Sequence, residues 1–270
     1  MFVYIEALIL GVLEGFTEFL PVSSTGHLIV AGHALGFKDA EAVFTVVIQL
    51  GAIAAVIWYL RHDLIQKIHG LLARERAAIT FWKTLVIATV PAGIAGLLLD
   101  AHMDSLTTPS VVACALIAGG IVLWLVDRRP VAQGAVQPDV QRVSIRQAWI
   151  VGLGQCLALV PGVSRSGATI MSGLGAGIDR PTAALFSFYL SIPVLILASG
   201  YKLIAHRDAI DSISGGPAAI LLGMGAAFVA GLIAVSWLLK YISHHSFRPF
   251  AYYRIALGVI ILIALQTTSL

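Results

Sequence analysis

Apolar residues run along this chain in long blocks, and the blocks predict its elements. Six of them, at about 41–60, 82–99, 111–127, 182–203, 217–239 and 250–268, are of bilayer length. A helix crosses a hydrocarbon core with about 20 apolar residues, so each block predicts a transmembrane helix. Two further apolar regions, at about 2–36 and 146–178, are interrupted. The first is broken by PVSSTGH at Pro21–His27 and the second by PGVSRSG at Pro161–Gly167. Proline, glycine and hydroxyl residues at such breaks end a helix. Each half is then short for a crossing, which predicts a re-entrant pair of short helices entering and leaving on one side. Irregular backbone at that depth is tolerated where protein or a water-filled cavity surrounds it. The fold expected is an all-α polytopic membrane protein with six transmembrane helices plus two re-entrant helix pairs.

The two interruptions resemble each other. With one residue inserted after the proline, Ser23-Ser24-Thr25-Gly26 aligns with Ser164-Arg165-Ser166-Gly167. Each broken region is followed by three spanning blocks. The chain therefore reads as one membrane domain built from repeats at 1–127 and 146–270, joined by a polar linker at 128–145. Charge orients them. If the basic segment 61–81 is a cytoplasmic loop, Arg61, Lys67, Arg74 and Arg76 lie inside. Counting spans adds Arg128, Arg129, Arg142, Arg146, Arg180, Lys240 and Arg248, against Lys38, Lys202 and Arg207 outside. That distribution obeys the positive-inside rule. It starts repeat one outside and repeat two inside, so the expectation is inverted-topology repeats whose broken tips meet near the bilayer midplane.

Composition agrees with the blocks. Of 270 residues, 59% are hydrophobic and 11% charged, and the mean hydropathy is +0.93. Soluble domains carry about a quarter charged residues. The net charge of +3 would suit nucleic acid, but the basic residues sit between apolar blocks, so no nucleic-acid partner is expected; membrane lipids are. Cys114 and Cys156 lie in apolar stretches with no zinc spacing and read as packing residues. The first apolar run lacks a basic start and continues into Glu14 and Glu18, so it reads as part of the mature fold. Gly93, Gly96, Gly223 and Gly231 permit close helix contacts within a chain or in a homodimer.

The chemistry concentrates at the two breaks. Glu14 and Glu18 are four apart on one helical face, and a charge in hydrocarbon costs roughly 3 kcal/mol by insertion scales. They face either a wet interface or a cavity with acid–base or metal-ligand work. Ser23, Ser24 and Thr25 either cap the helix that Gly26 opens or offer hydroxyls to a ligand. His27, beside them, is either a satisfied core residue or a proton-transfer group. Arg165, between Ser164 and Ser166 with Thr169 one turn on, either pairs with a buried carboxylate or presents its planar fork to a phosphate. Helix N-termini near Gly26 and Gly167 converging on one point would form an anion site. An anion with a base nearby suggests phosphoryl transfer. Gln49 reads as an interhelical hydrogen-bonding residue. His33, His62, His69, His102 and His206 read as loop or interface residues, and His244 with His245 as headgroup contacts. Trp58, Trp82 and Trp237 read as interfacial belt residues.

EGFTEFLPVSSTGH at 14–27 together with PGVSRSGAT at 161–169 resembles the undecaprenyl-diphosphate phosphatase family of the bacitracin-resistance type. IQLGAIAAV at 48–56 and FRPFAYYR at 247–254 extend the similarity along the chain. The resemblance implies a bacterial inner-membrane phosphatase with a pocket opening outward. It would convert undecaprenyl diphosphate to undecaprenyl phosphate, recycling the carrier of cell-wall synthesis and conferring bacitracin tolerance. It also implies dependence on a divalent cation, Mg2+ or Ca2+, with Glu14 and Glu18 as ligands. Arg165 would clamp the diphosphate with Ser23, Thr25, Gly26, Ser164, Ser166, Gly167 and Thr169. Ser24 is the expected nucleophile, with His27 or Glu18 as its base; His27 as nucleophile and direct attack by water remain alternatives. On architecture alone a secondary transporter or flippase for an anionic lipid or solute is the rival reading.

Overall fold

The computed structural model describes residues 2–37, 39, 43–128, 137–205, 213 and 215–267, and the side chains of 100–105 and 267 are outside that description. Lys38, Arg129, His206, Arg207 and the His102 side chain therefore lie outside the described residues. Ten α-helices are described: α1 (Phe2–Phe19), α2 (Ser24–Leu35), α3 (Val43–Leu72), α4 (Arg76–Leu106), α5 (Pro109–Val126), α6 (Ile145–Gln155), α7 (Arg165–Gly175), α8 (Arg180–Ala205), α9 (Gly216–Ile242) and α10 (Arg248–Thr267). Among the described residues there is no strand. Six helices, α3, α4, α5, α8, α9 and α10, are long and apolar enough to cross a membrane. They correspond one for one to the six apolar blocks, and the protein is an all-α polytopic membrane protein.

Two boundaries differ from expectation. The segment 61–81 is not a loop: α3 runs on to Leu72 and α4 begins at Arg76. The basic end of α3 stays helical because its polar side chains find partners. The ammonium of Lys67 lies 3.3 Å from Asp63 and 4.7 Å from the centre of the Phe81 ring. Trp82 Nε1 donates to the Lys67 carbonyl, and the Tyr189 hydroxyl donates to Asp63. Lys67 is buried rather than a solvated loop charge. Cys114 is exposed on α5, not packed inside.

The outer surface is greasy. Leu97, Leu98, Ile204 and Leu221 are each more than two-thirds exposed, as suits a protein whose solvent is hydrocarbon. The interior is held by shape and by a few polar locks. α1 packs on α9, α6 on α4, α5 on α10 and α3 on α8. Backbones approach closely where glycines allow it: a Cβ on Gly15 would strike the Ala227 carbonyl, one on Gly51 the Met224 carbonyl, and one on Gly152 the backbone of Ala88. Gly223 and Gly231 are likewise spent on contacts within the chain. At one end of the bundle, Asp127 accepts from Arg180 Nε at 2.5 Å and from the Phe247 N–H at 2.6 Å. That carboxylate ties the end of α5 to the starts of α8 and α10.

These close approaches set an expectation for stability. Gly51→Val forces α3 away from α9 and is expected to lower the thermal midpoint in detergent, an overpacking penalty of about 1–3 kcal/mol. Gly93→Ala, with open space around its position, is expected to leave the midpoint unchanged or slightly raised.

Candidate active site

The two interruptions build the same structure twice. α1 ends at Phe19, the chain turns through Leu20–Val22, and Ser23 caps α2 with φ 71° and ψ 98°. After α6, a 3₁₀ turn at Cys156–Leu159 leads to Ser164, which caps α7 with φ 72° and ψ 119°. A non-glycine residue at positive φ is strained, and both serines offset the strain in one way. Ser23 Oγ accepts from the Gly26 N–H at 3.4 Å, and Ser164 Oγ accepts from the Gly167 N–H at 3.0 Å. Ser24 and Arg165 therefore occupy equivalent positions, each the first residue of its helix.

Those two residues meet on one carboxylate. Ser24 Oγ donates to Glu18 Oε2 at 2.5 Å, and Arg165 Nη2 donates to Glu18 Oε1 at 2.9 Å. Glu18 is 6% exposed, placed there because the face of α1 that carries Gly11, Glu14, Gly15 and Glu18 turns inward. Arg165 Nη1 also donates to the Ser187 carbonyl on α8 at 3.1 Å. Thr169 Oγ1 and Ser187 Oγ share a hydrogen bond of 2.7 Å. Ser166 Oγ donates to the Leu20 carbonyl at 2.9 Å and shares a 3.0 Å bond with Ser164 Oγ, so it stitches one tip to the other. Thr25 is half-buried on α2. His27 engages neither Ser24 nor Glu18: its Nδ1 is 2.7 Å from the Ser23 carbonyl and its Nε2 2.6 Å from the Tyr253 hydroxyl.

Reasoning from the sequence missed one central residue. Arg254, on α10, is fully buried. Its guanidinium donates to Pro21 O from one tip and to Gly162 O and Val163 O from the other, and to Ala115 O and Leu116 O of α5. The available signal was a lone charge inside an apolar block, the criterion that picked out Glu14 and Glu18.

The sequence matches the family model described as bacitracin resistance protein BacA over residues 7–260. The chain belongs to the BacA family. Among its relatives, a protein of Nitrosomonas europaea named undecaprenyl-diphosphatase is 47% identical over 266 residues, covering 97% of this chain and 94% of that protein. Undecaprenyl-diphosphatase 1 of Paraburkholderia xenovorans is 46% identical, covering 96% and 94%. The undecaprenyl-diphosphatase of Deinococcus deserti is 42% identical, covering 98% and 96%.

Within this BacA-family site two groups lack partners. Both oxygens of Glu14, a residue with no exposed surface, accept no hydrogen bond, and Arg165 Nε donates none. Glu14 lies within electrostatic range of Glu18 and Arg165. Among the described residues no three His, Cys, Asp or Glu side chains cluster as a metal-binding group. A magnesium ion needs fewer, since it takes one or two carboxylates and fills its remaining positions with water and phosphate oxygens. Glu14 and Glu18 fit that donor set.

Replacing Arg254 with Met strands the carbonyls of both tips. The variant is expected to lose about 3 kcal/mol, read as a lower thermal midpoint in detergent. Arg254→Lys, whose ammonium has three donors in place of five, is expected to recover part of the loss. An unchanged midpoint for Arg254→Met would contradict the role given to the guanidinium.

Proposed function

We propose that this protein is an undecaprenyl-diphosphatase, hydrolysing the diphosphate of a polyprenyl lipid to the monophosphate and inorganic phosphate. The observation that carries this reading is the Glu18 carboxylate shared between the Ser24 hydroxyl and the Arg165 guanidinium. A serine hydroxyl is a weak nucleophile until a base takes its proton, and here the Ser24 hydroxyl already donates its hydrogen bond to such a base, Glu18 Oε2. A phosphoryl group needs cationic and N–H donors around its oxygens. Arg165 supplies its free Nε. The first-turn N–H groups of α2 and α7, apart from those of Gly26 and Gly167 that the serine caps take up, have no acceptor within their own helices and carry the positive end of the helix dipole.

The steps follow from these positions. Ser24 Oγ bonds to the terminal phosphorus while its proton passes to Glu18 Oε2. The bond from that phosphorus to the bridging oxygen breaks, and its electron pair leaves on the lipid phosphate. Water then bonds to the phosphorus of the phosphoserine as the phosphorus–Oγ bond breaks and its electron pair returns to Ser24 Oγ; Glu18 gives its proton back to that oxygen, and the protons of the water stay with the released phosphate. Arg165 Nη2, held on Glu18 Oε1, leaves Oε2 facing Ser24. Mg2+ or Ca2+ held by Glu14 and Glu18 would neutralise charge on the diphosphate oxygens.

The setting of the site belongs to the same proposal. Pairing α1 with α9 and α6 with α4, and α3 with α8 and α5 with α10, is the pattern two inverted repeats produce when their equivalent helices exchange partners. The matching caps at Ser23 and Ser164 support the same division, with α1–α2 and α6–α7 as the re-entrant pairs. The distribution of Lys and Arg favours a site opening away from the cytoplasm, in the inner membrane of a bacterium. No relative named above is described as a transporter, and the hydroxyl–carboxylate–guanidinium cluster favours hydrolysis.

Purified protein in detergent is expected to release phosphate from a polyprenyl diphosphate in the presence of Mg2+. Arg165→Ala is expected to lose about 10²–10³-fold in turnover. Ser24→Ala is expected to lose at least as much; substantial turnover by that variant would assign the attack to a water activated by Glu18. In a separate assay, chelation by EDTA is expected to stop release and added Mg2+ to restore it. Glu14→Gln is expected to raise the Mg2+ concentration required, and an unchanged requirement would remove Glu14 from the metal site.

A further inference from the structure

The proposed chemistry uses Glu18, Ser24 and Arg165 but leaves His27 without a task, although it sits three residues beyond the nucleophile. The hydrogen bonds of its ring restrict what it does. Nδ1 faces the Ser23 carbonyl at 2.7 Å, and a carbonyl only accepts. Nδ1 therefore carries a hydrogen whether the ring is neutral or charged. Proton exchange is left to Nε2, and Nε2 faces the Tyr253 hydroxyl at 2.6 Å. A phenol both donates and accepts, so this bond survives either charge state: the hydroxyl donates to a neutral ring and accepts from a charged one. The two rings are also parallel, with centroids 5.6 Å apart and planes 3° apart, which fixes the imidazole plane as well as its tautomer.

Tyr253 lies on α10 beside the clasp that holds the two tips. It is 46% exposed, whereas the next residue, Arg254, is fully buried and holds both tips. The same turn of α10 thus anchors the tips with one side chain and reaches His27 on α2 with the other. Tyr252 points elsewhere and takes a hydrogen bond from Trp124 Nε1 at 3.3 Å.

We infer that Tyr253 is a positioning residue for the phosphatase reaction: it holds the ring of His27, whose Nδ1–H the Ser23 carbonyl fixes, and is the group through which Nε2 gains and loses its proton. The inference rests on the phosphatase reading above. It makes His27 and Tyr253 one unit that bonds to Ser23 and not to Ser24 or the Glu18 base, suited to supplying a proton to the departing oxygen rather than to activating the serine.

The test is a mutant cycle read by phosphate release from polyprenyl diphosphate in detergent with Mg2+, together with a spectroscopic readout that needs no turnover. Tyr253→Phe, which keeps the ring and removes the hydroxyl, is expected to lower kcat about tenfold with KM within twofold of wild type. His27→Gln is expected to lower kcat at least as much, and the double variant no further than His27→Gln alone. Tyr252→Phe is expected to behave as wild type. In 15N-histidine spectra, the resonance that disappears in His27→Gln is expected to report a protonated Nδ1, and its Nε2 signal to move in Tyr253→Phe. Wild-type kcat in Tyr253→Phe, or a double variant that loses the product of the two single effects, overturns the inference while leaving the phosphatase reading intact. An Nε2 signal unmoved by Tyr253→Phe overturns it even for a protein that releases no phosphate, an outcome that would separately end the phosphatase reading.

Discussion

Glu18 takes a hydroxyl from its own hairpin on one oxygen and a guanidinium from 147 residues further along the chain on the other. Neither partner is replaceable by solvent, since the Glu18 and Arg165 side chains are 5% and 9% exposed. A buried ion pair gains little net stability over an apolar pair of the same shape, because both charges lose their water. Breaking it is another matter: a charge left alone there is destabilising by several kcal/mol. The interaction therefore acts as a constraint on arrangement. α1 must lie with its acidic face inward, α7 must begin where α1 ends, and α8 must present the Ser187 carbonyl to the rest of the guanidinium.

The surrounding structure satisfies that constraint by backbone geometry. Ser23 and Ser164 adopt nearly the same positive φ, which turns the chain sharply enough to aim two helix N-termini at one place. Ser166 bridges from one tip to the Leu20 carbonyl of the other. Behind them Arg254 gathers carbonyls from both tips and from α5. The glycines of α1 and α3 let α9 close over the outside. Arg165 of α7 is set against Glu14 and Glu18 of α1, with Arg254 of α10 behind the tips, so the charged side chains are brought together from three helices.

Much of this was legible in the sequence, for a physical reason. A bilayer imposes one length and one polarity on every span, so the six helices stand out as blocks, and charges or hydroxyls inside such blocks mark the site. The likeness of Ser23–Gly26 to Ser164–Gly167 was legible too, because a helix cap is a local device written in four residues. What was hidden depends on partners far away. Arg254 binds only backbone carbonyls, and carbonyls leave no trace in residue identity. Ser187 and Tyr253 belong to ordinary apolar helices and gain meaning only from Arg165 and His27. Lys67 looked like a loop charge because its partners Asp63, Phe81 and Tyr189 come from three different helices.

Arg254 has a consequence for how the chain assembles. Its partners lie as far as 233 residues upstream, and the helix that carries it is made after the other nine described α-helices. Helices inserted earlier place Glu14, Glu18 and Arg165 in the membrane before the clasp that organises both tips exists. Contacts of such sequence separation form late, so the charged centre stays loosely arranged through most of synthesis and closes in a final docking step, when α10 slides against α5. A nascent chain thus acquires this geometry only once α10 is in place, and a chain stalled before that helix holds the charged side chains of the two tips without their order.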